Sequence, residues 1–249
     1  MRVISFSLYG NSPLYLNGAI CNARSVEAWY PGWQCWFYVG SSVPRDVCEQ
    51  LEAARARVIH MATPETSVAM LWRFQPAREK GVQALMVRDC DSRFSKREQA
   101  AVLEWLTENT PFHIMRDHPA HRVPILGGMW GTKGNNGLAV IRKALEEPLS
   151  EDFYGIDQFL LAQYVYPHIK KAACIHDAYF CYELHSRPFP APRDDYGFVG
   201  EVFNPNSEPN HEQRAEVKYA DTSMTFRLRL KAGSIKDKVL HKGYWKAVS

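Results

Sequence analysis

The chain has no long apolar run. Nothing in its 249 residues approaches the ~18 uninterrupted apolar positions that a membrane-spanning helix needs, so no such span is expected. Its six cysteines (Cys21, Cys35, Cys48, Cys90, Cys174 and Cys181) form no Cys-x-x-C pair, which removes the usual zinc and redox motifs. Most lie among apolar neighbours, so buried free thiols in a reducing cytoplasm are expected rather than disulfides. Charge of one sign is also scarce: a formal net charge of +3 does not point to nucleic acid. No internal repeat or interdomain linker interrupts the chain, and no signal-peptide cleavage pattern follows Arg2. With 46% hydrophobic and 12% aromatic residues, disorder is excluded and a core of one large domain, or one and a half, is affordable.

Hydrophobic periodicity orders what is present. Residues 2–9 are expected as a first strand, broken at Gly10-Asn11-Ser12-Pro13. A helix is expected over 17–30, a strand over 34–39, a helix over 44–54 with Pro44 in its first turn, and a short strand over 57–61. Residues 66–80 have helical spacing around Leu71, Trp72 and Phe74, with Pro76 bending or ending the helix. A buried strand then runs up to Asp89. This β-α-β-α-β order predicts an α/β fold, with a mostly parallel central sheet flanked by helices in a single domain. Further on, Ser95 and Glu98 form a capping box, 111–115 reads as a strand, and Leu138, Ile141 and Leu145 share a helix face. Asp157 opens a helix running to Val165, and 172–182 reads as a strand. Residues 186–211 are expected to be mostly loop. In the last segment, Arg227, Arg229, Lys231, Lys236, Lys238, Lys242 and Lys246 stand against only Asp237. There Phe226, Leu228 and Leu230 alternate with arginines as on a half-buried sheet edge. The alternative for this basic segment, with Tyr244 and Trp245, is docking on an anionic membrane surface.

The chemistry concentrates in Leu85-Met86-Val87-Arg88-Asp89-Cys90-Asp91-Ser92-Arg93, which holds the only Asp-x-Asp of the chain. Two carboxylates at the end of a parallel strand stand where open α/β sheets bind ligands, and their oxygens suit a hard divalent cation. Arg88 and Arg93 would hold phosphate oxygens or the aspartates themselves. The tripeptide alone equally fits a polar strand-to-helix turn.

A longer ordered set narrows this. Arg88-Asp89-Cys90-Asp91-Ser92-Arg93, Glu98, Glu104-Trp105-Leu106, His113-Ile114-Met115-Arg116-Asp117-His118-Pro119 with His121, and Gly127-Gly128-Met129-Trp130-Gly131 resemble a small group of GT-A-fold glycosyltransferases. These are enzymes of surface-glycan and viral-glycan assembly. Tyr30-Pro31-Gly32-Trp33 and Trp72-Arg73-Phe74 also fit that pattern. Gly155-Ile156-Asp157-Gln158-Phe159-Leu160, His176-Asp177 and Phe198-Val199-Gly200 fit it more loosely. The likeness covers residues 1–200, expected to form the transferase domain. Residues 201–249 are expected as a loop and basic extension packed on the same domain.

The resemblance implies a nucleotide-sugar donor held over Mn²⁺ or Mg²⁺, and a glycan or lipid-linked acceptor. Asp89 would meet the ribose or metal, Asp91 the metal, and His176 would be a further metal ligand, with Asp177, His118 and His121 as rivals. Ser7, Tyr9 and Arg73 would cradle base and ribose, with Arg88 and Arg93 on the diphosphate. Gly128 would let backbone approach the donor sugar and Trp130 would stack on it. Asp157 would be the base that deprotonates the acceptor in an inverting reaction, with Glu151 and Asp152 as rivals. Asp157 also reads as a helix cap, Trp130 as core, His176 as a sheet hydrogen-bonder, and Arg116-Asp117-His118 as a strand-end network.

Three other functions compete. A haloacid-dehalogenase-type phosphatase would place its nucleophile strand near the domain start, yet three strand–helix units precede Asp89. A sugar nucleotidyltransferase would carry a basic Gly-rich loop after the first strand, and Leu8-Tyr9-Gly10-Asn11-Ser12 has no basic residue. A non-catalytic glycan- or nucleotide-binding protein on a transferase fold is the main alternative.

Overall fold

The sheet grows outward from its first strand. The computed structural model describes residues 1–148 and 152–239, with side chains as far as Ile235. In chain order, β1 (Arg2–Leu8), α1 (Pro13–Trp29), β2 (Trp33–Val39), α2 (Arg45–Ala53) and β3 (Arg57–His60) form the first half-sheet. A run of tight three-residue turns over Ser67–Arg78 leads to β4 (Ala84–Val87). Then follow α3 (Lys96–Thr107), β5 (Phe112–Arg116), β6 (Trp130–Lys133), α4 (Gly134–Ala144), α5 (Ile156–Leu160), α6 (Tyr166–Ile169), β7 (Cys174–Asp177), α7 (His211–Thr222) and α8 (Met224–Val239). The strand order is β3-β2-β1-β4-β6-β5-β7. β6 is antiparallel to both its neighbours and the other pairings are parallel. This is the single-domain, mostly parallel α/β architecture expected from the element order. Because β1 sends the chain first to β2 on one side and later to β4 on the other, a crevice opens beyond the ends of β1 and β4.

Alternation along β4 divides the core. Leu85 and Val87 face Trp72, Phe74, Trp130 and Ile141, whereas Ala84 and Met86 face α1 and Trp105 of α3. Both faces are covered, so all four β4 residues are buried, which is why that strand reads as a continuous apolar run.

Several boundaries differ from expectation. α1 begins at Pro13, because proline's fixed φ and missing N–H suit a first helical turn; it is not a breaker here. Residues 67–78 form tight turns rather than a regular helix, with Pro76 inside. The 172–182 strand is only Cys174–Asp177, since Asp177 Oδ1 accepts from the backbone N–H of Tyr179 and Phe180 and turns the chain. β6 was not evident from periodicity. The largest correction is at the C-terminus, where 224–239 is helical and not a sheet edge. Phe226 and Leu230 are also four apart; they pack inward together while Leu228, between them, is 60% exposed. Lys242, Tyr244, Trp245 and Lys246, like Glu151, lie outside the described residues. No helix among the described residues is long and apolar enough to cross a membrane. The six cysteines are free, and four of them are buried.

Candidate active site

The turn after β4 is fixed before any ligand arrives. Ser92 N–H and its hydroxyl both bond the Asp89 carbonyl, at 3.4 and 3.0 Å. Asn22 of α1 donates to the Ser92 carbonyl at 3.0 Å. A Cβ on Gly18 would collide with the Cys90 carbonyl, so α1 docks here only because that position is glycine. Arg93 donates to the Ser92 carbonyl at 2.9 Å and lies 5.4 Å from the Phe203 ring. The expected donor role of Arg93 is therefore corrected: it braces the turn and does not line the cavity.

Asp89 and Asp91 line a cavity of about 390 Å³ together with Ser7 and Tyr9 from the end of β1, Arg73, Gly127, Gly128 and Asp157. Arg73 is the organising side chain. Its guanidinium, 7% exposed, pairs with Asp89 and, at 2.6 Å, with Asp157 Oδ2. Its backbone N–H donates to the Ser7 hydroxyl at 3.1 Å, tying β1 to the 67–78 turns. Arg73 thus sits between two carboxylates, which hold its ionisation well above the ordinary arginine range against the effect of burial. Its Nε and Asp157 Oδ1 are buried without a hydrogen-bond partner.

Gly127 and Gly128 make close approach possible. A Cβ on Gly127 would land on the Asp157 carboxylate, and one on Gly128 on the Asp89 carboxylate. Asp157 is the second residue of α5; the residue before the helix is Gly155, whose φ of 90° suits glycine. Asp157 is therefore not the cap, and its carboxylate is committed to Arg73.

Three lining carboxylates face one guanidinium. Burial, and then the neighbouring Asp89 charge, push the Asp91 carboxyl up to about 6. His121 also lines the cavity; burial holds it well below its ordinary value, so it adds no positive charge near neutrality. The Asp89 and Asp91 carboxylates, in a cavity with excess negative charge, fit a hard divalent cation, which is commonly held by one or two carboxylates plus ligand phosphates.

Other expected site residues lie elsewhere. Arg88 is 3% exposed; its Nε bonds Glu98 at 2.6 Å and its Nη1 the Trp130 carbonyl at 2.9 Å. It anchors α3 to the sheet and is not available to a diphosphate. Glu98 is accordingly not the second half of a capping box, although Ser95 does accept from its N–H at 3.1 Å. Trp130 is fully buried, donates to the Gly127 carbonyl at 3.1 Å and meets Phe74 edge-on, so it is core and not a sugar platform. His176 is fully buried in β7, with Nδ1 2.9 Å from His113 Nε2 and Nε2 3.6 Å from Glu104. It does not line the cavity, so its expected place beside Asp91 is corrected. Burial lowers both imidazoles. Arg116 and Asp177 belong to a buried network with Glu183 and Tyr166. Sequence reasoning missed Tyr15, Tyr154 and Gln158 at the cavity. Gln158 was recoverable as the neighbour of Asp157, but Tyr15 becomes a site residue only through the docking of α1.

No family model and no curated protein matches this chain. Among solved structures, it is similar to glucosyl-3-phosphoglycerate synthase from Mycobacterium tuberculosis in complex with Mn²⁺, uridine diphosphate and phosphoglyceric acid. That match has 13% identity, covers 77% of this chain and 72% of the other, and has a TM-score of 0.46. It is also similar to 4-diphosphocytidyl-2C-methyl-D-erythritol synthase from Anaerococcus prevotii at 9% identity, over 71% of this chain and 87% of that one, with a TM-score of 0.46. Likenesses this distant carry no argument about chemistry.

Proposed function

We propose that this chain is a divalent-cation-dependent glycosyltransferase of the GT-A type, moving a sugar from a nucleotide-sugar donor to a hydroxyl of a glycan or lipid-linked acceptor. The observation that carries the reading is the convergence of Asp89, Asp91 and Asp157 on one cavity around Arg73, at the crevice between β1 and β4. Asp89 and Asp91 would hold Mn²⁺ or Mg²⁺. When bound, the cation would act as a Lewis acid toward the leaving diphosphate. Ser7 and Tyr9 would border the nucleoside. Gly128, whose missing side chain makes room for the Asp89 carboxylate, would border the donor sugar.

Asp157 would accept the acceptor's proton. Oδ1 is its uncommitted oxygen, while Arg73 holds Oδ2 and fixes the carboxylate's orientation. Arg73 itself is a positioning residue, and its partner Asp89 is 44% exposed on the cavity side of the pair. A binding-only role has one feature in its favour: the Asp157 side chain is 3% exposed, so catalysis requires the acceptor to reach a shielded group.

The test is release of nucleoside diphosphate from a panel of UDP-, GDP- and dTDP-sugars, with and without Mn²⁺. Cation-dependent release from at least one sugar, stimulated by a hydroxyl acceptor, is expected. Tight binding of a nucleotide sugar with no release under any acceptor would favour the binding-only role. Hydrolysis of a phosphate monoester instead would overturn the transferase reading.

A further inference from the structure

α8 has two apolar faces, and only one of them is used. Phe226, Leu230 and Ser234 recur every four residues along one side. Leu230 and Ser234 are buried, Leu230 packs with Tyr179, Phe180 and Tyr182, and Ser234 Oγ accepts from the Cys181 N–H at 2.9 Å. Roughly opposite, at about 100° per residue, Met224, Leu228 and Ile235 fall on one stripe. Their exposures are 77%, 60% and 52%, and Ala232 beside them is exposed too. Isolated exposed apolar residues are ordinary, but three aligned along one helix form a face.

The flanks of that stripe are basic. Arg227 and Lys231, four residues apart, run along one edge, Arg229 lies on the other, and all three are exposed. From Ser223 to Ile235 there is no acidic residue. The nearest upstream carboxylate, Asp221, is engaged by Arg193 and Tyr179. Beyond Ile235 the sequence adds Lys236, Lys238, Lys242 and Lys246 against Asp237. A helix that is apolar along its crest and cationic along both shoulders is complementary to an anionic lipid surface, with acyl chains under the crest and phosphates beside the cations.

We propose that the exposed face of α8 docks the protein peripherally on an anionic phospholipid bilayer, with Met224, Leu228 and Ile235 entering the headgroup boundary and Arg227, Arg229 and Lys231 meeting lipid phosphates. The 178–182 segment holds the helix from behind, so the face is presented ready-made. Docking stands apart from the transferase reading and is tested without any nucleotide.

The experiment is sedimentation of the full chain with vesicles of mixed phosphatidylcholine and phosphatidylglycerol, or of phosphatidylcholine alone, at low ionic strength. The protein is expected to pellet with the anionic vesicles only, and to be released as salt shortens the screening length toward a few ångströms. Each cation near such a surface contributes about fivefold in partition, so the Arg227→Glu/Lys231→Glu variant should bind at least ~20-fold more weakly. Leu228→Ser should also weaken binding, and because that side chain is exposed its melting temperature should match wild type. Equal recovery in the supernatant with both vesicle types overturns the proposal. So does anionic binding that both variants leave unchanged, which would assign it to another surface. A concentration-dependent dimer abolished by Leu228→Ser, without vesicle preference, also overturns it and makes the face a contact between two copies.

Discussion

Asp91→Asn should make the metal-free protein more stable while removing its cation site. Asparagine keeps the size and shape of the side chain and removes only the charge. In the folded chain, burial and then the Asp89 carboxylate raise the Asp91 carboxyl from 3.8 to about 6. A carboxyl whose folded value lies above its unfolded one holds its proton more tightly in the folded state. The wild type therefore loses stability as pH rises from 3.8 to about 6, and above that the loss is complete. That difference corresponds to ~3 kcal/mol at most, and partial solvation of the side chain brings the expected figure to ~1–3 kcal/mol. For a chain of this size that is a rise in melting temperature of roughly 2–10 °C. The assay is thermal or urea denaturation of both proteins in chelator from pH 4 to 8. The curves should meet near pH 4 and separate to a constant gap above about pH 6. Adding Mn²⁺ should raise the wild-type midpoint by mass action and leave the variant unchanged. An Asn variant no more stable than wild type at pH 7.5 in chelator would refute the electrostatic account of the site.

Three further substitutions separate site from scaffold. Gly128→Ala puts a methyl group onto the Asp89 carboxylate; it should cost ~1–3 kcal/mol of stability and at least ~10-fold in Mn²⁺-dependent nucleotide affinity, read by calorimetry. Unchanged affinity would mean that Asp89 can move aside freely. Arg88→Met leaves Glu98 buried and unpaired, and should destabilise by ~3–5 kcal/mol in urea unfolding, with nucleotide affinity kept by the folded fraction. Asp157→Asn should lower turnover ~10²–10⁴-fold with donor affinity nearly intact, and a loss under ~10-fold would take the base role away from it.

The sheet and its covering helices were legible because burial on both faces and short connections leave strong periodic signals, as in Leu85-Met86-Val87 before Asp89. The acidic turn was legible for the same reason, since a strand end is where a carboxylate pair has chemical meaning. What could not be read is which polar residues near a motif point into the cavity. Arg88 and Arg93 flank the aspartates in sequence, yet one pairs with Glu98 and the other braces the turn. Arg73, distant in sequence, reaches both Asp89 and Asp157. Trp130 belongs to the apolar core and His176 to a buried polar cluster with His113, and only strand pairing defines either place. The Phe226, Leu228 and Leu230 alternation satisfies both a two-residue and a four-residue period, and packing of α8 on Tyr179–Tyr182 decides between them.

Calorimetry of UDP, GDP and dTDP against wild type and Asp91→Ala, each with Mn²⁺ and with chelator, asks whether the turn after β4 holds a diphosphate through a cation. At least one diphosphate should bind wild type only when Mn²⁺ is present. Asp91→Ala, folded by its circular dichroism and melting, should bind none of them. Binding by the variant equal to wild type, or no binding by wild type of any of the three with Mn²⁺, would mean that Asp91 holds no cation for a nucleotide.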